Sequence, residues 1–175
     1  MTETREQLLD AAGRVLLRDG AERVTLAAVA AEAGVSKGGL LYHFGSKQAL
    51  VAGLVDRLVG RFDEAMSGCG EQPGAATRAY LANSVDTTPP GGWQTAAAML
   101  AALLMDPASL APLRERYTRW QRRLENDGID PAVATVVRFV ADGWWQAQLL
   151  DLAPPDPALR ERALALLDGL ISGGA

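Results

Sequence analysis

The chain has 175 residues, of which 49% are hydrophobic, and a formal net charge of −4. This composition argues against a disordered chain, and no run of about 18 uncharged apolar residues occurs, so we expect no membrane span. The polar N-terminus lacks the apolar segment of a signal peptide, which predicts a cytoplasmic protein. The single cysteine, Cys69, excludes an internal disulfide and a cysteine metal cluster.

Charge is unevenly distributed along the chain. Residues 1–47 contain six Lys or Arg and six Asp or Glu, whereas residues 48–175 contain eleven and fifteen. Residues 33–47 include no acidic residue, yet they contain both lysines of the chain and its one histidine. Because a DNA-binding surface depends on local charge more than on the net charge, this window is compatible with binding to DNA.

Helical periodicity without strand-like alternation predicts an all-α fold of about nine helices. The predicted helices cover about residues 4–19, 26–33, 37–43, 47–66, 75–85, 93–105, 107–126, 131–152 and 157–172. Thr4 and Gln7 form a capping box at the first start. The other start signals are N-cap residues and Asp-Pro pairs: Thr25, Ser36, Ser46, Asp106-Pro107, Asp130-Pro131 and Asp156-Pro157.

The second and third predicted helices have the pattern of a helix-turn-helix. Val29, Val35 and Leu40 are spaced to form a small core beneath the two helices. Ala30 is small where the helices cross, and Gly34 is placed where the turn needs a left-handed backbone.

The second helix of such a unit enters the major groove of DNA with its N-terminal end. Here that end is Ser36, Lys37, Gly38 and Gly39. The lysine can donate to guanine O6 and N7 or to a phosphate, and the two glycines leave room for close approach of the backbone. We therefore predict that these four residues face the bases.

Two segments, Val24–Ala30 and Gly34–Leu50 (GVSKGGLLYHFGSKQAL), resemble the N-terminal region of the tetracycline-repressor (TetR) family. The resemblance implies a homodimer, a palindromic operator in double-stranded DNA and a variable C-terminal domain that binds a small-molecule effector. We accordingly predict a helix-turn-helix DNA-binding domain at residues 1–47. Residues 48–175 are predicted to form a helical domain for ligand binding and dimerisation.

By position, the resemblance also implies that Thr25 and Lys47 contact phosphates at helix N-termini, where backbone N–H groups favour anions. Tyr42 and His43 are implied as further phosphate contacts, with core packing as the alternative for Tyr42 and a structural role as the alternative for His43. We predict that the neighbouring Phe44 lies in the core. Leu41 departs from the family pattern, which often has Tyr there, and Gly45 stands where Pro is frequent. The operator sequence therefore cannot be transferred from the family.

The last two predicted helices have apolar faces that are candidates for a dimer interface across a two-fold axis, with packing inside one chain as the alternative. The candidates are Val133, Val137, Val140, Trp144, Leu159, Leu166 and Leu170. Other large apolar residues are candidates for the walls of an effector cavity, with core packing again the alternative. They are Trp93, Met99, Leu103, Trp120, Phe139 and Trp145.

We therefore predict a sequence-specific transcriptional regulator, a repressor that an effector releases from its operator. The alternative is an all-helical binding or scaffold protein with a non-functional helix-turn-helix. One histidine and one cysteine far apart provide no nucleophile–base pair, so we expect no enzyme, no metal and no cofactor. Redox sensing by Cys69 is open, although an ordinary loop thiol is the simpler interpretation.

Overall fold

The computed structural model describes residues 2–86, 88–89, 91–105 and 110–173, and that part of the chain is helical, without a strand. The helices are α1 Thr2–Asp19, α2 Leu26–Glu32, α3 Lys37–His43, α4 Lys47–Gly68, α5 Ala75–Asp86, α6 Gly92–Met105, α7 Ala111–Glu125, α8 Pro131–Leu149 and α9 Pro157–Gly173, with a 3₁₀ helix at Ala21–Arg23. The predicted all-α fold is confirmed. Among the described residues, no helix is long and apolar enough to cross a membrane.

Five of the predicted N-caps are confirmed. The hydroxyl groups of Thr25, Ser36 and Ser46 each accept the backbone N–H three residues ahead, at 3.1, 3.0 and 3.0 Å. The carboxylates of Asp130 and Asp156 accept backbone N–H groups at the starts of α8 and α9, both at 2.8 Å. Each bond satisfies a donor that a helix leaves unpaired in its first turn.

Two helices extend beyond their predicted ends. α1 begins at Thr2 instead of Thr4, so the predicted capping box lies inside the helix and its assignment is wrong. α4 continues to Gly68, two residues beyond its predicted end. Extending an existing helix by two residues costs little compared with nucleating one, so an end without a strong stop signal is easily extended. The Asp106-Pro107 start predicted for the seventh helix lies outside the described residues.

The chain divides into two compact units. The first consists of Met1–Val59 and Thr88–Leu113, and the second of Gly60–Thr87 and Arg114–Ala175. α6 thus belongs to the same unit as the helix-turn-helix. The functional boundary predicted after Lys47 is a different division of the chain, and it stays a prediction.

In the first unit, α1 packs against α2, the 3₁₀ helix and α6. Leu8, Leu9 and Val15 of α1 are fully buried. Gly13 allows α6 to come close, because a Cβ at that position would lie 3.3 Å from Cγ2 of the buried Thr95. The first unit therefore holds α6 tightly against the N-terminal helix.

In the second unit, α5 packs mainly against α8, and α9 packs against both. Four aromatic side chains cluster there, with neighbouring ring centroids 5.0 to 5.9 Å apart: Phe62, Tyr80, Tyr117 and Trp120. The Tyr80 hydroxyl donates to a carboxylate oxygen of Asp142 at 2.6 Å, which satisfies the polar end of a side chain that is otherwise buried.

The start of α5 is capped by a residue from a distant loop. Asp127 is buried, and its carboxylate accepts the backbone N–H groups of Ala76 and Thr77 at 3.0 and 2.8 Å. It also accepts the Thr77 hydroxyl at 2.7 Å. Three charge-assisted hydrogen bonds thus fix α5 to the segment between α7 and α8.

Candidate DNA-binding surface

The turn between α2 and α3 has the backbone that a helix-turn-helix requires. Gly34 has a φ of +69°, a left-handed conformation that would strain a side chain. The Val35 N–H donates to the Ala30 carbonyl at 3.0 Å and closes the turn. Val29 and Leu40 are fully buried beneath it, and Val35 is partly buried. The predicted small core between the two helices is confirmed.

The first turn of α3 is open to solvent. Lys37, Gly38 and Gly39 are all exposed. A Cβ at Gly38 or Gly39 would meet the Ser36 hydroxyl at 3.8 or 3.4 Å, which is ordinary contact. Neither glycine has a positive φ. The chain therefore does not require either glycine for its own packing, although each lowers the stability of the helix by about 1 kcal/mol relative to Ala.

The end of α3 separates an exposed aromatic residue from a buried one. The Tyr42 side chain is 73% exposed, and the ring of His43 lies edge-on to it with centroids 5.2 Å apart. Phe44 is buried, as predicted, with the Arg5 guanidinium 5.3 Å from its ring centroid. A Cβ at Gly53 would lie 2.7 Å from Phe44 Cε1. Phe44 therefore fixes the end of α3 against α4.

The carboxylate nearest in sequence to the acid-free window is neutralised by α1. Glu32 accepts hydrogen bonds from Arg14 and Arg18, both at 2.8 Å. These two bonds, of which the one from Arg14 has the larger effect, hold the pKa of the Glu32 carboxyl below its usual value. Thr25 and Lys47, the predicted phosphate contacts, are exposed at the starts of α2 and α4. Both positions are thus accessible to a polyanion.

A link between α1 and α4 was missed from the sequence. Arg57 of α4 is largely buried, and its guanidinium lies 2.6 Å from the Asp10 carboxylate and 3.8 Å from that of Glu6. It also donates to the Leu9 carbonyl at 3.3 Å. These partners are separated by almost fifty residues, so no local spacing rule points to them.

The residues predicted to line an effector cavity do not form one group. Met99 and Leu103 line a cavity of about 290 Å³ in the first unit. Trp120 is buried in the aromatic cluster of the second unit. Phe139 is 60% exposed on the outside of α8, so the prediction that it lines a cavity of the chain is wrong. The remaining two, Trp93 and Trp145, are partly buried in the first and second units.

The predicted dimer residues are mostly on the outside of α8 and α9. Val137 is the exception: it is fully buried inside the chain, so its assignment is wrong. Val133 and Trp144 are partly buried. The other four are exposed together with two further residues of α8, and we call this set the outer apolar surface: Val136, Phe139, Val140, Leu159, Leu166 and Leu170. α8 is apolar on more than one face, so periodicity does not decide which face points inwards.

Two family models match the chain. The model for bacterial regulatory proteins of the tetR family matches residues 8–54. The model for the tetracyclin repressor-like C-terminal domain matches residues 74–172, more than half of the chain. The first match contains both helices of the helix-turn-helix and the start of α4.

The HTH-type transcriptional regulator TtgR of Pseudomonas putida is 45% identical over 56 residues, which are 32% of this chain and 27% of TtgR. The chain thus matches about a quarter of the length of that relative.

Solved structures share the fold over nearly the whole chain. A putative TetR-family regulator from Rhodococcus sp. has a TM-score of 0.67 at 20% identity, with 98% of each chain covered. The multidrug binding protein EbrR, crystallised with malachite green, has a TM-score of 0.65 at 24% identity, covering 93% of this chain and 96% of EbrR.

Proposed function

The chain belongs to the tetR family of bacterial regulatory proteins, and from this premise we propose that it is a DNA-binding transcriptional repressor. It binds a palindromic operator as a homodimer, and a small molecule releases it. A regulator of this kind acts in the bacterial cytoplasm, and no catalytic step belongs to its function. The observation that carries the proposal is the exposed first turn of α3, with a lysine and two glycines that the fold does not need.

The surface divides into two kinds of contact. Ser36, Lys37, Gly38 and Gly39 face the base edges, where the lysine donates to guanine and the glycines admit close approach. Thr25, Tyr42, His43 and Lys47 contact phosphates. Phosphate contacts position the protein and carry no sequence information.

Dimerisation is supported by the outer apolar surface. Phe139 and Leu166 are 60% and 67% exposed in the single chain, and four more apolar residues accompany them on α8 and α9. Exposed apolar groups gain about 25 cal/mol per Å² when they are buried. A two-fold pair of these helices would bury them, and a two-fold dimer is what a palindrome with half-sites about 34–36 Å apart requires.

Control by an effector is supported by family membership and by the malachite green complex of EbrR. The family match over residues 74–172 agrees with an effector and dimerisation function in residues 48–175, the division that we propose. The rival hypothesis is a scaffold protein with a non-functional helix-turn-helix. The glycines of α3 argue against it, because a structural helix gains nothing from two residues that destabilise it.

The test compares three exposed cations by fluorescence anisotropy on an operator selected from genomic DNA. Lys37→Ala should lower the preference for operator over scrambled DNA, by about 1–3 kcal/mol. Lys47→Ala should weaken binding to both DNAs and flatten the slope of log affinity against log salt by about 0.9. Arg162→Ala, which removes an exposed cation of α9, is the control and should change neither. If all three variants had the same sequence preference and the same salt dependence, the assignment of Lys37 to bases and Lys47 to phosphates would be refuted.

A further inference from the structure

The cavity of the first unit is enclosed by α1, the 3₁₀ helix, α4 and α6. Its volume is about 290 Å³. Six of its wall residues are buried and apolar: Leu16, Val24, Leu54, Val55, Met99 and Leu103. Protein interiors are normally close-packed, with few voids larger than a water molecule. A space of this size among buried apolar side chains is therefore a candidate ligand site.

The opening of the cavity carries two charged residues, Glu22 and Lys47, and the other described residues that line it are uncharged. Both are exposed. Their charges are opposite, so the opening has no net charge to select a cation or an anion. The buried walls, as far as the structure describes them, are apolar, and burying an unpaired charge is costly. The walls thus favour an uncharged ligand that is polar only near the opening.

The volume limits the size of the occupant. A dry apolar cavity of about 150 Å³ is sufficient to bind benzene. At about 290 Å³, this cavity has room for a molecule of one or two rings. Pockets for drug-sized compounds are about 300–1,000 Å³, so this cavity lies at the lower limit of that range. The cavity is therefore matched to small aromatic or branched aliphatic molecules.

We propose that this cavity is an effector site for a small uncharged molecule of one or two rings, with a single hydrogen-bonding group directed to Glu22 or Lys47. The effect on DNA rests on the proposed function, whereas binding to the cavity does not. The site lies within the unit that contains α3, the recognition helix that is proposed to enter the major groove. Residues of α1 and the 3₁₀ helix line this site, so it extends beyond residues 48–175, to which the effector function is assigned above.

The mechanism follows from the residues at the opening. Lys47 lines the cavity and is also a proposed phosphate contact. Val51, Leu54 and Val55 of the same helix form one wall, and Leu16 of α1 forms another. A ligand between these walls favours the arrangement of α1 and α4 that encloses it best. The ligand weakens operator binding because it binds this arrangement more tightly than the arrangement of the DNA-bound protein.

The experiment uses indole, an uncharged two-ring probe, and isothermal titration calorimetry without DNA. The wild-type protein should bind one indole per chain with a Kd below about 1 mM. Ala102→Leu adds a larger side chain to the cavity wall on α6 and should weaken binding at least about tenfold. Ala101→Leu makes the same change at the exposed neighbouring position and should leave the affinity unchanged. Val51→Phe fills the cavity from α4 and provides a second test if the first variant does not fold.

Three outcomes would overturn the proposal: no saturable binding, equal indole affinity in both filling variants and the wild type, or operator affinity that indole does not change. In support, indole should weaken operator binding by the wild-type and Ala101→Leu proteins and not by Ala102→Leu. Cavity-dependent indole binding by a protein that binds no operator would retain the ligand site and refute the repressor function. Operator binding without indole binding would retain the DNA-binding function and refute the ligand site.

Discussion

Gly53 and Gly60 lie in the same helix, α4, yet alanine should stabilise the fold at Gly60 and not at Gly53. A Cβ at Gly53 would lie 2.7 Å from Phe44 Cε1 and 3.3 Å from both Phe44 Cζ and Arg5 Nη2. A Cβ at Gly60 would meet no atom within 4 Å. The pair therefore separates helix propensity, which both substitutions share, from steric crowding, which affects only one.

The magnitudes follow from these distances. Each Gly→Ala change should gain about 1 kcal/mol from helix propensity. At Gly53 the buried Phe44 ring must move, and such overpacking costs about 1–3 kcal/mol. Gly60→Ala should therefore raise the unfolding free energy by about 1 kcal/mol. The unfolding free energy of the Gly53→Ala protein should be lower than that of the Gly60→Ala protein by the overpacking cost, about 1–3 kcal/mol.

Urea unfolding followed by circular dichroism measures both variants. Phe44 ends the recognition helix, so Gly53→Ala should also weaken operator binding, and Gly60→Ala should not. Equal stabilisation by the two substitutions would refute the argument that Phe44 and Gly53 fix α3 against α4.

Three further predictions concern the second unit. Asp127→Ala leaves two buried N–H groups of α5 without an acceptor and should lower the unfolding free energy by at least about 2 kcal/mol in urea titrations. Val140→Glu should shift the mass from light scattering from dimer to monomer while the circular dichroism spectrum stays helical, because this side chain is exposed in the single chain. Burial raises the pKa of Tyr117 from 10.0 to about 12, and burial also raises the pKa of Tyr80. Above pH 10 the phenol groups ionise in the unfolded chain and stay neutral in the folded one, so the unfolding free energy should fall between pH 10 and about 12. Tyr117→Phe should reduce that fall.

Features set by neighbouring residues were predictable from the sequence. The N-caps at Thr25, Ser36 and Ser46 and the left-handed turn at Gly34 depend on a few adjacent positions. The helix-turn-helix is composed of such local features, and Phe44 was correctly assigned to the core. The helix-turn-helix could therefore be predicted from the sequence.

Features set by distant contacts were not predictable. Glu22 and Met99 line one cavity only because the 3₁₀ helix and α6 meet α4 in space. Val137, predicted at a dimer interface, is buried inside the chain, and Phe139, predicted in a cavity wall, is exposed. The reason is that α8 has apolar residues on several faces, and the helices packed against it decide which face is buried. The periodicity of a single helix contains no information about those partners.

Recognition of a specific DNA sequence by this chain is tested most directly by one binding measurement. The 175-residue protein is used to select duplexes from a random pool. Its affinities for the selected duplex and for a scrambled one are then measured at one salt concentration. We expect a palindromic consensus that the protein binds at least about 10³-fold more tightly than the scrambled duplex. Equal affinity for the two duplexes, or no enrichment from the pool, would contradict it.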